Sequence, residues 1–277
     1  MEKACHERIV ENDPRVPAGA TVPATKLKAM AERTRTSTLG RTRWVMPLVC
    51  ALAATAAATG AAATSSPKRS ILTTASIARW APVVEEVTAR AKPSAASARV
   101  APLSLVTGDG TQNLVLILEQ TDLGHGVIWH KVRLPILPNN STGWVPQSAL
   151  GNVYTVRTHL WIDRSAFTAR LTRNGKTIFT TRVGVGKPGT PTPSGEFYVR
   201  DKITNFNNPF YGPIAFGTSA RSPVLTDWPG GGFIGVHGTN EPERIPGAPS
   251  HGCIRIANAD ILKLASLMPV GTPLTIT

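Results

Sequence analysis

Apolar and polar side chains alternate through most of the second half of this chain. Residues 154–163 place Tyr154, Val156, Leu160 and Ile162 on one side, with Thr155, Arg157, His159 and Asp163 on the other. That two-residue period predicts a half-buried β-strand. Residues 166–173 and 176–185 repeat it on either side of Asn174-Gly175, a pair suited to a two-residue hairpin turn. Residues 195–200, 233–237 and 274–277 read as further strands. The period changes after Asn258, a helix-capping residue type, where Ile261, Leu262, Leu264, Ala265 and Met268 make the apolar face of a short helix. Upstream, residues 114–119, 126–134 and 142–146 read as short strands separated by turn residues. The pattern predicts a mainly β protein with a short helix and no internal repeat.

The amino-terminal part has a different composition. Residues 44–66 carry no charge, with Arg33, Arg35, Arg41 and Arg43 before them and Lys68 and Arg69 after. That length spans a bilayer, and the basic flank favours a cytoplasmic head at 1–43. Ala61-Ala62-Ala63 would also suit signal cleavage. A signal anchor and a cleaved signal sequence both remain open, and either exports the rest of the chain. The expected location is therefore extracytoplasmic, anchored in the cell membrane or secreted to the wall. Residues 67–97, rich in Ser, Ala, Thr, Pro and Arg, read as a flexible spacer. A small β module at 98–150 and a β domain at 151–277 complete the expected organisation.

Charge and cysteines narrow the function classes. Lys and Arg number 30 against 17 Asp and Glu, a formal net charge of +13. The excess is spread thinly, without a basic stripe, so nucleic acid is not an expected partner; general attraction to an anionic surface is. Cys5, Cys50 and Cys253 offer neither a disulfide framework nor paired metal-ligand spacing.

Cys253 stands apart from the other two. It lies in Ser250-His251-Gly252-Cys253-Ile254-Arg255, with a second histidine in His237-Gly238-Thr239. A free thiol has a pKa of about 8.5 and becomes a strong nucleophile only on losing its proton. A neighbouring imidazole can take that proton, and a glycine beside the sulfur lets a carbonyl approach backbone amides. His237, His251 and Cys253 could also ligate zinc, but they lack a fourth partner in a ligand pattern. The cluster points to cysteine acyl transfer, with no metal and no cofactor expected.

These motifs resemble the signature of the L,D-transpeptidase (YkuD) catalytic domain. Gly184-Val185-Gly186-Lys187 and Thr190-Pro191-Thr192-Pro193-Ser194-Gly195-Glu196-Phe197 resemble its upstream strand and turn. The resemblance implies a β-sandwich with a short helix over 151–277. It makes Cys253 the nucleophile and His237 the base, its other ring nitrogen steadied by the Gly238 carbonyl. His251 would lie beside the thiol, or make a structural hydrogen bond within the loop. Gly252 and Cys253 would supply oxyanion amides, and Ser250 would help orient the turn. Arg255 and Thr239 are candidate substrate contacts, although Arg255 could instead pair with an acidic residue. The aromatic-rich segment around Tyr211 and Trp228 is a candidate pocket wall or simply a packed loop. The implied partners are peptidoglycan stem peptides and the bacterial cell wall, and the implied product is a 3→3 cross-link. Transfer to water or a free D-amino acid, and an inactive wall-binding protein, are the alternatives. A carbapenem would be a covalent ligand. Separately, Trp129-His130-Lys131-Val132-Arg133-Leu134-Pro135 and Gly143-Trp144-Val145-Pro146 resemble the end of a bacterial SH3-like barrel, with Trp129 and Trp144 expected in its core.

Overall fold

The computed structural model describes residues 67–108, 110–204, 208–226 and 231–277. The expected head at 1–43 and membrane segment at 44–66 lie outside the described residues. Among the described residues no helix is long and apolar enough to cross a membrane.

The protein is mainly β. An amino-terminal sheet holds β1 (Lys68–Ile71), β2 (Ala78–Pro82), β3 (Val87–Arg90), β4 (Arg99–Leu103), β5 (Leu114–Asp122), β6 (Ile128–Arg133), β7 (Thr142–Pro146) and β8 (Tyr154–Val156). Its hydrogen-bonding order is β4-β3-β7-β6-β5-β2-β8, with β1 also on β5. Residues 67–97, expected from composition to be a spacer, instead supply three of these strands. Ala78, Ala81 and Ala89 are all buried there. Small alanines let strands pack closely, yet they carry a weak hydrophobic signal, so composition concealed the alternation. Trp129 and Trp144 are both buried.

The second sheet holds β9 (Thr158–Asp163), β10 (Thr168–Arg173), β11 (Lys176–Arg182), β12 (Gly184–Gly186), β13 (Gly195–Thr204), β14 (Ile214–Arg221), β15 (Phe233–His237), β16 (Gly247–Ser250), β17 (Ile254–Arg255) and β18 (Pro273–Ile276). The order is β11-β10-β9-β18-β13-β14-β15-β17-β12-β16. Leu171 and Phe179 from one end of that order share a core cluster with Val185 and Ile254 from the other. The sheet therefore curves around one core, which α1 (Asn258–Leu267) also enters through Ile261 and Leu264. Asn174 and Gly175 turn the β10–β11 hairpin with φ of 52° and 77°, as a two-residue turn of this kind requires. Asn258 does not cap α1: the N-cap is Ala257. The Asn258 carboxamide is drawn instead to the Thr239 amide, which it accepts at 2.9 Å.

The continuous apolar run at the start of β5 has a structural cause. Val115 and Ile117 point into the core of the amino-terminal sheet, while Leu114 and Leu116 cluster with Tyr198 of the second sheet. A strand buried on both faces loses its polar side. Tyr198 is fully buried, and its hydroxyl donates to Leu114 O at 3.1 Å. Burial pushes its pKa up to about 12. Trp80 of β2 packs on the turn before β18, where a Cβ added to Gly271 would lie 2.0 Å from Trp80 Cδ1. Gly271 also has φ +77°, a region that side chains rarely adopt. Gly271→Ala should cost about 2 kcal/mol or more, lowering Tm by about 5 °C. An unchanged thermal midpoint would show that Trp80 does not seat there.

Candidate active site

Parallel pairing of β15 with β17 sets Val236 beside Ile254 and His237 beside Arg255. Cys253, one residue before β17, is thereby brought level with Gly235. The Gly235 amide donates to Cys253 Sγ at 3.3 Å. A Cβ on Gly235 would lie 3.8 Å from both Cys253 Sγ and His237 Cδ2. Thiol and imidazole thus flank one bare point on β15, and both line the same pocket.

The turn carrying Cys253 is braced from several sides. Ser250 Oγ donates to Cys253 O at 2.6 Å and accepts the Gly252 amide at 3.0 Å. Gly252 has φ +124°, and a Cβ there would meet Ile234 Cδ1 at 2.9 Å. Thr192 Oγ1 donates to Gly252 O at 2.7 Å and accepts the Gly186 amide at 2.9 Å. The upstream Thr190-Pro191-Thr192-Pro193 motif is thus a support for the turn. The Gly252 amide, expected to face a substrate oxyanion, is committed to Ser250 instead.

His237 is buried, 2% exposed. Its Nδ1 donates to Gly238 O at 2.6 Å. A carbonyl only accepts, so the ring proton sits on Nδ1 and the lone pair on Nε2. Burial first, and then the nearby Arg255 charge, lowers the His237 pKa to about 4, against the opposing Gly238 bond. Burial pushes the Cys253 thiol up, while the Gly235 amide and Arg255 pull it back. Both shifts favour the neutral thiol and the neutral imidazole.

Arg255 lines the pocket but is only 3% exposed. It donates to Glu241 Oε2 at 2.6 Å, and its guanidinium carbon lies 4.4 Å from the Phe210 ring centroid. Of the two roles open to it from sequence, the acidic pairing is present. The Arg255 hydrogen bond holds the Glu241 carboxyl below its ordinary range. His251 is exposed at the pocket, its Nε2 accepting from Lys187 Nζ at 3.0 Å.

The other expected residues separate. Tyr211 lines the pocket, its ring edge-on to His237 with centroids 4.9 Å apart. Thr239 does not line it: buried, it accepts the Glu241 amide at 3.0 Å and donates its own to Asn258. Gly238 packs against Gly212, where a Cβ would come within 3.0 Å of Gly212 Cα. Trp228 lies outside the described residues. Phe233, Leu225 and Ser222 also line the pocket, although no motif marks them. Glu241 and Lys187, which hold Arg255 and His251, were likewise not singled out as site residues. Among the described residues no group of three His, Cys, Asp or Glu could hold a metal ion.

A family model described as the L,D-transpeptidase catalytic domain, YkuD, matches residues 157–276. The chain is 37% identical over 127 residues to a putative L,D-transpeptidase YkuD of Bacillus subtilis, covering 46% of this chain and 70% of that protein. It is 35% identical over 126 residues to a putative L,D-transpeptidase YkuD of Bacillus licheniformis, covering 46% and 69%. Among solved structures, the catalytic domain of an Enterococcus faecium L,D-transpeptidase is similar at 26% identity and a TM-score of 0.34, covering 43% of this chain and 96% of that one. With its thiol, imidazole and bracing motif carried on one β domain, the chain belongs to the YkuD family of L,D-transpeptidase catalytic domains.

Proposed function

We propose that this chain is an extracytoplasmic L,D-transpeptidase that forms 3→3 peptidoglycan cross-links through a thioester on Cys253. The observation that carries this reading is the Cys253 thiol held by the Gly235 amide beside a His237 whose Nε2 lone pair is free by tautomer. His237 takes the thiol proton as Sγ attacks the carbonyl that follows the L-centre of the third stem residue. The C–N bond then breaks, and the imidazolium returns that proton to the departing D-amino acid. The amine of a second stem attacks the thioester, His237 takes its proton, and the thiol leaves as the cross-link forms. Because the Gly252 amide is spent on Ser250, we assign oxyanion stabilisation to the amide of Cys253 itself. The Arg255 charge, kept in place by Glu241, favours the developing anion without contacting it.

The uncharged 44–66 segment supports export and membrane attachment, and the net charge of +13 suits an anionic wall. We read the amino-terminal sheet as an SH3-like module, on the antiparallel β6–β7 pairing that carries the Trp129 and Trp144 motifs.

Three outcomes follow. Carbapenem treatment should add one drug mass to the intact protein, and Cys253→Ala should abolish it; an adduct on the variant would refute the Cys253 assignment. Incubation with tetrapeptide stems should then yield dimers by mass, whereas trimmed stems alone would indicate transfer to water.

Alkylation of Cys253 by iodoacetamide should keep rising with pH beyond about 8.5, because burial holds the thiol above its ordinary value. A plateau below neutral pH would reveal a preformed thiolate–imidazolium pair instead.

His237 folds neutral with a pKa of about 4, against about 6.5 when unfolded. The unfolded chain binds more protons between those values, so stability is full above pH about 6.5 and falls toward pH about 4, by about 3 kcal/mol. His130 and His159 are shifted in the same direction by burial. His237→Gln should therefore make the acid loss of Tm shallower without removing it, and an identical slope would contradict a buried neutral imidazole.

A further inference from the structure

One wall of the Cys253 pocket is held by Arg221, the last residue of β14. Its Nε donates to Gly231 O at 3.1 Å, and its guanidinium carbon lies 4.9 Å from the ring centroid of Phe233, a pocket residue. The next residue continues the anchor. The Ser222 amide donates to Gly232 O at 2.8 Å, and Ser222 Oγ accepts the Leu225 amide at 3.0 Å. The peptide groups of Arg221 are in turn satisfied from the amino-terminal sheet. Asn139 Oδ1 accepts the Arg221 amide at 3.0 Å, and Asn139 Nδ2 donates to Arg221 O at 2.7 Å. A single carboxamide supplies the donor and acceptor that a neighbouring strand would otherwise provide.

Asn139 is well placed to impose that geometry. Its loop between β6 and β7 is closed by Leu134 N to Ser141 O at 2.9 Å and Ser141 Oγ to Pro138 O at 2.6 Å. Its neighbour Asn140 also reaches the second sheet, but accepts the Glu196 amide at 2.6 Å, at the start of β13. Glu196 does not line the Cys253 pocket. Two adjacent asparagines thus join the same sheets, and only one of them is connected to the site.

We propose that Asn139 is a positioning residue for the acyl-donor pocket, making the amino-terminal sheet part of the catalytic unit. It acts through Arg221 on the wall formed by Ser222, Leu225 and Phe233, and leaves the thiol and its base untouched. The choice of ligand rests on the acyl-transfer reading above; the coupling of Asn139 to the wall does not. The chemistry of the acyl donor is sensed by this wall, so losing the anchor should weaken binding more than bond making.

The test compares full-length wild type, Asn139→Ala and Asn140→Ala. Four quantities are measured: the carbapenem concentration giving half-maximal acylation rate, the maximal rate, iodoacetamide alkylation, and hydrogen exchange at the Ser222 amide. Asn139→Ala should raise the half-maximal concentration about tenfold and speed Ser222 exchange similarly, with maximal rate and alkylation within about twofold. Asn140→Ala should leave all four near wild type. The proposal is overturned if the two variants behave alike, or if Asn139→Ala lowers maximal rate and alkylation without moving the half-maximal concentration. Should Asn139→Ala not fold, Asn139→Asp replaces it with the same expected result, since it sets a carboxylate oxygen against Arg221 O. If wild type itself resists acylation, the acyl-transfer reading fails, and Ser222 exchange alone decides the role of Asn139.

Discussion

Parallel pairing of β15 with β17 determines which side chains can meet. Parallel neighbours require a crossover between them, and here residues 238–253 make it, starting just after His237 and ending on Cys253. The register that places His237 beside Arg255 also brings the sulfur level with Gly235. Only a residue without a side chain leaves the point between thiol and imidazole bare. A slip of one residue along either strand would turn the cysteine to the opposite face of the sheet. The braces on the turn, from Ser250 and Thr192, make sense as protection of that register.

Burial sets the electrostatics of the pair, with the charges as corrections. An imidazole that is 2% exposed loses the hydration that would stabilise its cation, so the neutral form wins. The same desolvation disfavours a thiolate. Arg255 acts in opposite directions on the two, against the imidazolium and for the thiolate. A lone buried guanidinium would be costly; the Glu241 carboxylate and the Phe210 ring compensate for it. Burial therefore disfavours an ion pair between sulfur and histidine at rest.

Much of this was legible in the sequence where one residue type has one strong consequence. Asn174-Gly175 demanded a hairpin, and alternation at 154–163 demanded a strand. A cysteine with two histidines and a flanking glycine pointed to one cluster, and both histidines do line a pocket with it. Signals failed where a residue's partner is distant in the chain. Alanine strands at 78–90 looked like a spacer because methyl groups mark a buried face only weakly. Asn258 looked like a helix cap, yet its carboxamide serves the Thr239 amide nineteen residues away. Thr239 sits in the motif, but its side chain is spent inside the loop. Phe233, Leu225 and Ser222 carry no local signature, since a pocket wall is recognisable only once β14 and β15 are paired.

The two sheets behave as one folded unit because they share buried surface. The amino-terminal strand β5 gives one face to its own core and the other to Tyr198. Separating the sheets would expose Leu114 and Leu116 and leave the buried Tyr198 hydroxyl without its acceptor, a loss in both apolar burial and hydrogen bonding. Trp80 seated on Gly271 and the two asparagines on Arg221 and Glu196 add directional contacts around that apolar patch. A flexible tether would need none of these. Arg157 alone separates β8 from β9, so strand pairing continues from one sheet into the next with no spacer. The amino-terminal sheet is thus fixed against β13, the end of β14 and the turn before β18.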